Sequence, residues 1–303
     1  MAKYPTLLEQ FRSFYYQNNP KDLEEAIEYF SIFGGMGWDV DTSVPLINLI
    51  ESKLLKNYTY IHGDITKVTK SDTISHALLS GVASGDRRTH SAFKRARITE
   101  AEGESVIDSL CEMGFMSIER SLETPPNNDD IADKLNFSVP FMRFLFAFIS
   151  PYFKSIKEGD YKEVKEKFAN RESGFSNLIF ERLSKELLKK SFKEDRIVEI
   201  GSYWDRDVEI DILAKTKSGK IIAGACKYSN SKANKKELAK LKEKCEAAEL
   251  TPDIFVLFSK SGFSNELKNE KGDDLKLYTL KNFKTLIEDL GEKDFIECIG
   301  KRY

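Results

Sequence analysis

The residue types that most often do chemistry are sparse in this chain. Its three histidines, His62, His76 and His90, lack the spacing of metal ligands, and its four cysteines form no CxxC pair. The sequence therefore indicates neither a zinc site nor a disulfide framework. The glycine-rich segments at 33–39 and 81–88 lack the lysine and the hydroxyl residue that complete a phosphate-binding loop. We find no nucleotide-binding signature in the sequence.

Acidic residues and a lysine in the second half of the chain form a more informative set. Glu181 lies in an amphipathic helical pattern, Asp211 lies in the segment VEIDILAK, and Lys227 lies in the next segment, IIAGACKY. Glu209 is two residues from Asp211, so a regular strand directs both side chains to one face. On the residues alone, Asp211 and Lys227 are also compatible with a structural ion pair, which contributes little to stability where it is exposed.

The elements that position these residues are predicted over 171–303. Hydrophobic spacing predicts a helix at 175–188, a lysine-rich helix at about 234–249 and a final helix at about 281–290. Alternating or apolar segments predict strands at 196–204, 208–215, 221–228, 253–259 and 275–280. A helix, a three-stranded meander and then alternating helices and strands indicate a mixed α/β domain with a central sheet flanked by helices.

The first half of the chain is predicted to be mainly helical. Residues 1–70 form an N-terminal helical region in this interpretation. Residues 71–160 form a winged-helix-like region, with three helices, a two-stranded hairpin and an apolar connecting helix. A polar turn, TPPNNDD, is expected to join the two strands of the hairpin.

The charge of this winged-helix-like region bears on nucleic-acid binding. Its third helix is acidic and has no lysine or arginine, so it is a poor candidate for the major groove of a polyanion. Basic residues lie just before that helix and are the candidates for phosphate contacts: Arg87, Arg88, Lys94, Arg95 and Arg97. Protein docking and simple scaffolding are the alternative roles for the region.

The second half of the chain resembles the PD-(D/E)XK nuclease superfamily. It is similar, more narrowly, to the C-terminal domain of archaeal-type ATPases, which has the pattern FE…W.R..EID…G…GE.KW. The matching positions in this chain are Phe180-Glu181, Trp204, Arg206, Glu209-Ile210-Asp211, Gly219 and GACKY. The winged-helix-like region and the segment PFMRFLFAFISP also look like the part that precedes that domain. The resemblance covers about residues 72–290 and does not include the ATPase itself.

This resemblance implies a restriction-endonuclease-like fold and a metal-dependent site for phosphodiester hydrolysis. Glu181, Asp211 and Lys227 are the catalytic residues that it implies, and Asp211 is the implied ligand of Mg²⁺. A divalent ion neutralises the phosphate and activates a bound water, and Mg²⁺ prefers hard oxygen ligands such as carboxylates. A lysine two residues from a carboxylate on one strand points to the same site.

The chain departs from this pattern at Ala225, where the family has an acidic residue. Three explanations remain open: a relocated acid, a site that binds nucleic acid without cutting it, or a fold kept only as a scaffold. The candidates for a relocated acid are Glu199, Glu209 and Glu237. Because Mg²⁺ loses one ligand, we expect weak or absent catalysis, with Mg²⁺ as a cofactor only if the site is active.

Length and composition limit the class of protein and the location that the sequence allows. The chain has 303 residues, a net charge of −2 and 32% charged residues. No window approaches the roughly 18–20 apolar residues of a membrane span, and the N-terminus lacks the features of a signal peptide. We therefore expect a cytoplasmic protein that binds nucleic acid through an altered nuclease-like domain. The alternative is a non-enzymatic scaffold that docks an ATPase, another partner or a second copy of itself.

Overall fold

A computed structural model describes the chain over residues 5–59, 61, 63, 69, 72–122 and 131–296. Within these residues the protein has a mixed α/β fold, as the sequence predicts, with one five-stranded and one two-stranded sheet. The chain divides into two compact units. The first consists of Met1–Glu119, Ala132–Phe175 and Leu290–Tyr303, and the second of Arg120–Ile131 and Ser176–Asp289. The three-part division drawn from the sequence stays a prediction.

The first unit is mainly helical. Its α-helices are α1 (Leu7–Asn18), α2 (Leu23–Phe33), α3 (Leu46–Leu49), α4 (Thr73–Ser84), α5 (Thr89–Ala96), α6 (Glu100–Glu112), α7 (Pro140–Phe144), α8 (Phe153–Lys157) and α9 (Lys162–Ala169). Irregular helical turns extend or link them at Ile50–Leu55, Leu145–Ile149, Ser150–Tyr152 and Glu292–Asp294. Helix α10 (Glu172–Ser191) starts in this unit and continues in the second.

Helices α4, α5 and α6 are followed by an antiparallel hairpin of β1 (Met116–Glu119) and β2 (Lys134–Phe137). An isolated bridge between Arg88 and Lys134 adds the segment before α5 to the hairpin. A capping box, in which Thr99 Oγ1 and the Glu102 carboxylate satisfy each other's backbone N–H groups, starts α6. This order of elements is the one predicted for a winged helix, while the predicted turn at 124–130 lies outside the described residues.

The apolar segment after the hairpin forms the core of the first unit. Phe144 and Phe148 are fully buried and pack edge-on or tilted against Phe168 and Phe175. Aromatic contacts of this kind add about 0.5–1.5 kcal/mol each beyond their buried area. The predicted connecting helix is therefore buried, although it is broken into a short α-helix, a π-helical turn and a 3₁₀ turn.

The second unit is built on a mixed sheet. Its strands are β3 (Ile197–Trp204), β4 (Glu209–Thr216), β5 (Ile221–Lys227), β6 (Ile254–Ser259) and β7 (Leu275–Thr279), and they lie in the sheet in chain order. Strands β3, β4 and β5 pair antiparallel, whereas β5, β6 and β7 pair parallel. The accompanying helices are α10, α11 (Lys235–Ala247), α12 (Asn265–Lys268) and a 3₁₀ helix at Leu280–Leu286. That last element is the final helix predicted from the sequence.

Alternate residues of β5 distinguish the two faces of this sheet. Ala223 and Ala225 belong to or pack against an apolar cluster that contains Leu238 and Leu241 of α11. Cys226 points the other way, because Ser184 and Glu181, both on α10, act on the pKa of its thiol. The sheet therefore has an α11 face and an α10 face, and each candidate residue can be assigned to one of them.

Candidate functional site

A β-bulge in β4 positions Asp211. Gly201 of β3 pairs with Leu213, and Tyr203 pairs with Ile210, so Asp211 and Ile212 together oppose the single residue Ser202. A bulge of this kind adds one residue to a strand and changes the direction of the side chains that follow it. Ser202 is the residue of β3 at the centre of the bulge.

The bulge places Asp211 on the α10 face. Ile210 packs in the apolar cluster on the α11 face. Ile212 pairs with Gly224 of β5, which lies two residues before Cys226 and therefore shares its face, the α10 face. Residues two apart on a regular strand share a face, so the reversal occurs at the bulge. The negative charge of Glu181, on α10, acts on Asp211 from this same face.

Asp211 is half-buried, and its carboxylate is bound to the backbone of β5. Its Oδ2 accepts a hydrogen bond of 2.8 Å from the backbone N–H of Cys226. Burial, followed by the charge of Glu181, raises the pKa of Asp211 to about 6. The hydrogen bond from Cys226 and the positive charge of Lys244 lower this pKa in part. The carboxyl group is therefore poised to gain a proton just below neutral pH.

Lys185 connects Glu181 to the bulge. It lies one helical turn after Glu181 on α10, and its Nζ donates hydrogen bonds to Glu181 Oε1 at 3.1 Å and to Ser202 Oγ at 2.6 Å. Ser202 Oγ in turn donates to the backbone carbonyl of Asp211 at 2.9 Å. The side chains of Glu181 and Lys185 are each only 12% exposed, so water screens this ion pair weakly.

Lys227 lies away from this group and binds on the α11 face. Its Nζ pairs with Glu237 Oε1 and lies 3.5 Å from the carbonyl of Lys232. Burial alone would raise the pKa of Glu237, but hydrogen bonds from Lys227 and from the Asn234 backbone lower it overall. Of the three predicted catalytic residues, Glu181 is near enough to Asp211 for its charge to raise the pKa of that residue, whereas Lys227 pairs with Glu237.

The three candidates for a relocated acid have different surroundings. Glu237 binds Lys227 and caps α11, while Glu199 is exposed opposite Lys215. Glu209 is exposed, and its charge adds slightly to the raised pKa of Asp211. Among the residues that the structure describes, no three His, Cys, Asp or Glu side chains are grouped to hold a metal ion.

The described residues around Glu181 and Asp211 offer Mg²⁺ few ligands. The Lys185 ammonium already lies 3.1 Å from Glu181 Oε1, so a divalent ion bound by that carboxylate would face a neighbouring positive charge. At a separation of about 4 Å and an effective dielectric constant of about 20, this repulsion is about 8 kcal/mol, which equals the attraction of the ion to one carboxylate at that distance. Ala225 also supplies no ligand, since it packs against the apolar cluster on the α11 face.

The predicted nucleic-acid contacts separate into two groups. The Arg87 side chain is 12% exposed, and its guanidinium binds the Asn136 amide oxygen and lies 3.7 Å from Glu119 Oε2. Arg88 is half-buried beside β2. By contrast, three of the predicted cations are exposed at the end of α5: Lys94, Arg95 and Arg97. The exposed surface of α6 is acidic: Glu100, Glu102, Glu104, Asp108 and Glu112.

Sequence reasoning missed Lys185 and Ser202. The spacing of Glu181 and Lys185, four residues apart on a predicted helix, is a signal that could have identified the ion pair. Ser202 gave no such signal, because its position depends on the bulge. Trp204, by contrast, is fully buried and is a core residue, which the sequence resemblance alone did not determine.

Across the part of the chain that the structure describes, no helix combines the length and the hydropathy that crossing a bilayer requires.

Parts of the chain are similar to proteins that are described as uncharacterized or of unknown function. Residues 145–239, which include α10, β4 and β5, match DUF234, a family described as archaeal and bacterial proteins of unknown function. The uncharacterized protein MJECL04 of Methanocaldococcus jannaschii is 24% identical over 215 residues, which cover 65% of this chain and 46% of that protein. The chain therefore spans about half the length of this curated relative.

A similarity to a solved structure is weaker. The crystal structure of AF1548, a protein of unknown function, is 22% identical in the aligned part, with a TM-score of 0.24. The alignment covers 39% of this chain and 63% of that one.

Proposed function

We propose that this protein binds nucleic acid and does not cleave it. The observation that carries the binding is the exposed cluster of Lys94, Arg95 and Arg97 at the end of α5, in a winged-helix arrangement. Cations in such a position bind phosphates and release counterions, which gives sequence-independent affinity. The cluster lies outside the acidic α6, so the contact is with the backbone and not with the major groove.

The absence of cleavage is supported by the second unit. We propose that this unit is a PD-(D/E)XK-type domain with an altered centre. In support, the charge of Glu181 on α10 acts on Asp211 of β4, while Lys185 binds Glu181 and Lys227 binds Glu237. Without a bound divalent ion, neither the attacking water nor the leaving oxygen is activated.

Fluorescence anisotropy of labelled duplex and single-stranded DNA or RNA over a range of salt concentrations tests the binding. The slope of log K against log salt is about −0.9 for each duplex phosphate neutralised. The double variant Lys94→Gln/Arg97→Gln should weaken binding and reduce that slope by up to about 2.

A matched control removes the same charge elsewhere on the first unit. Lys157 and Lys162 are exposed cations on or beside α8 and α9. The variant Lys157→Gln/Lys162→Gln should bind nearly as the wild type does. Equal losses in the two variants would mean that binding follows net charge and not the α5 cluster, and absence of salt-dependent binding by the wild type would refute the proposed function.

A second candidate is supported by the exposed acidic surface of α6. A helix with five exposed carboxylates and no cation repels nucleic acid but complements a basic protein surface. We propose protein docking, with a separate ATPase or a second copy of this chain as the partner, as the alternative role. Sedimentation of the wild type and of Glu104→Gln/Asp108→Gln distinguishes self-association from a monomer. A wild-type monomer that binds DNA favours the first candidate.

A further inference from the structure

A cleft in the first unit lies between α1 and the glycine-rich segment at 33–39. It encloses about 330 Å³, part of which is open to solvent, and pockets for small molecules start at about this size. The rings of Phe14 and Trp38 form part of its wall, and no charged side chain of a described residue lines it. The cleft is therefore suited to a neutral ligand with an aromatic surface.

Gln10 of α1 supplies a buried hydrogen-bond acceptor at this wall. The residue is 3% exposed, and its Nε2 donates to the backbone carbonyls of Pro5 at 2.8 Å and Ser138 at 2.9 Å. Because both amide hydrogens are used, the orientation of the amide is fixed. Its Oε1 has no hydrogen-bond partner among the residues that the structure describes. A buried acceptor without a donor is unfavourable, so a ligand that brings an N–H group to it gains affinity.

Gly35 leaves space beside this oxygen. Its φ of +82° lies in the left-handed region that favours glycine, and a Cβ atom at this position would lie 2.4 Å from Gln10 Oε1. A larger residue would therefore fill the wall of the cleft next to the acceptor. The glycine-rich segment, which lacks the signature of a phosphate loop, thus has a role in shaping the cleft.

Ser13 and Gln17 add one donor and one acceptor to the wall. Ser13 Oγ accepts a hydrogen bond from the Ile296 backbone N–H at 3.0 Å, and no described residue accepts its own hydrogen. Gln17 Nε2 donates to the Gly37 carbonyl at 3.1 Å, and no described residue donates to its Oε1. Together with Gln10, the cleft offers two amide oxygens and one hydroxyl hydrogen to a ligand.

We propose that this cleft binds a nucleobase with an exocyclic amino group, such as adenine. The amino group brings two N–H hydrogens to the amide oxygens, and a ring nitrogen beside it accepts from Ser13. The base stacks on Trp38, whose ring is held edge-on against Phe141 at 4.9 Å. A free nucleoside and an unpaired base of a single strand share this chemistry, and only the strand case rests on the proposed function.

A nuclear magnetic resonance titration of the ¹⁵N-labelled chain with adenosine tests this inference. The chain has 2 tryptophans, so it gives two indole N–H signals. Adenosine should shift the Trp38 signal, identified with Trp38→Phe, and leave the signal of the fully buried Trp204 unchanged. Purine riboside, which lacks the amino group, should bind about fivefold to tenfold more weakly, as expected for one lost hydrogen bond. An oligodeoxyadenosine strand that shifts the Trp38 signal identifies a base in a strand, whereas a shift with adenosine alone identifies the free nucleoside.

A pair of amide variants supplies the matched control. Gln17→Leu should weaken adenosine binding by a similar factor, whereas Asn57→Leu, which removes an exposed amide outside the cleft, should bind as the wild type does. Lys94→Gln/Arg97→Gln should also bind adenosine normally, because adenosine has no phosphate, so the cleft and the proposed function can fail separately. An unmoved Trp38 signal in millimolar adenosine, or equal binding of purine riboside by the wild type, overturns the inference. The riboside comparison needs no variant and therefore decides the question even if Gln17→Leu does not fold.

Discussion

Asp211 shows how a single residue sets the chemistry of this site. The bulge turns its carboxyl group toward α10, where burial and Glu181 raise its pKa to about 6. In an unfolded chain an aspartate has a pKa of about 3.9. The folded protein therefore binds this proton more tightly than the unfolded chain does. Ionising Asp211 lowers the free energy of unfolding as the pH rises from about 4 to above 6.

Replacing Asp211 with asparagine should consequently stabilise the protein at neutral pH. A shift of about 2 pKa units corresponds to at most about 3 kcal/mol, so we expect a gain of about 1–3 kcal/mol at pH 7.5. The gain should shrink toward pH 4, where the wild-type carboxyl group is protonated. Urea unfolding across this pH range measures the difference.

A neighbouring aspartate supplies the control for that prediction. Asp207 is exposed in the turn before β4, so Asp207→Asn should leave the pH dependence unchanged. If Asp211→Asn were less stable than the wild type at pH 7.5, the ionised carboxylate would be making a stabilising contact, and the argument from burial would be wrong.

Substitution of Ala225 tests whether an acidic residue at this position restores metal-dependent cleavage. A glutamate there restores the residue type of the nuclease pattern, but the side chain of this position packs on the α11 face. Ala225→Glu should therefore lower stability by about 1–3 kcal/mol, as expected for a carboxylate pressed against an apolar cluster. It should not produce Mg²⁺-dependent cleavage of DNA.

The comparison variant for Ala225→Glu is Ala225→Met, which has similar length without the charge. A smaller loss of stability in the methionine variant separates the cost of the charge from the cost of size. Metal-dependent cleavage by Ala225→Glu would instead show that position 225 reaches Asp211, contrary to the assignment of faces.

At the level of elements, the strands and helices of the second unit were predictable. The face of the sheet on which each residue of β4 and β5 lies was not. Hydrophobic alternation located β4 and β5, because apolar side chains must reach a core every second residue. On a regular strand, Ile210 and Ile212 would share a face. One extra residue in β4 reverses the face from that point, and nothing in VEIDILAK indicates a bulge. The pairing of Lys227 with Glu237 was missed for the same reason.

Close packing between strands gives an element-scale prediction. A Cβ atom at Gly224 would come within 2.5 Å of Val256 Cγ2 on β6 and 3.0 Å of Ile212 Cβ on β4. Gly224→Ala should therefore force the strands to shift and cost about 1–3 kcal/mol, as overpacked cores do. Chemical denaturation measures this loss.

Gly174 offers the opposite case within α10. Apart from its chain neighbours and the backbone of its own helix, nothing lies within 4 Å of the place where its Cβ would be. Gly174→Ala should therefore stabilise the protein by about 0.5–1 kcal/mol, since alanine is the better helix former. A loss of stability at this position, or a neutral Gly224→Ala, would contradict the packing described for these elements.

For the whole molecule, the sequence predicted the class of fold better than it predicted which charged side chains are exposed. The order of three helices and a hairpin followed from helix caps and alternation, which act over a few residues. Five cations before α6 looked equivalent in the sequence. The Arg87 side chain nevertheless binds Asn136 and lies beside Glu119, and it is therefore largely buried. Because Asn136 and Glu119 are distant from Arg87 in the sequence, the sequence could not predict that Arg87 is absent from the exposed cluster.

The measurement that tests the central claim most directly follows binding and cleavage in one sample. Intact wild type is incubated with labelled duplex and single-stranded DNA and with Mg²⁺ or Mn²⁺. Anisotropy reports binding, and a denaturing gel reports cleavage. We predict salt-sensitive binding with every strand left intact, and the same result for Asp211→Ala. Metal-dependent cleavage by the wild type that disappears in Asp211→Ala would contradict the claim, because it would require a working metal centre at Asp211.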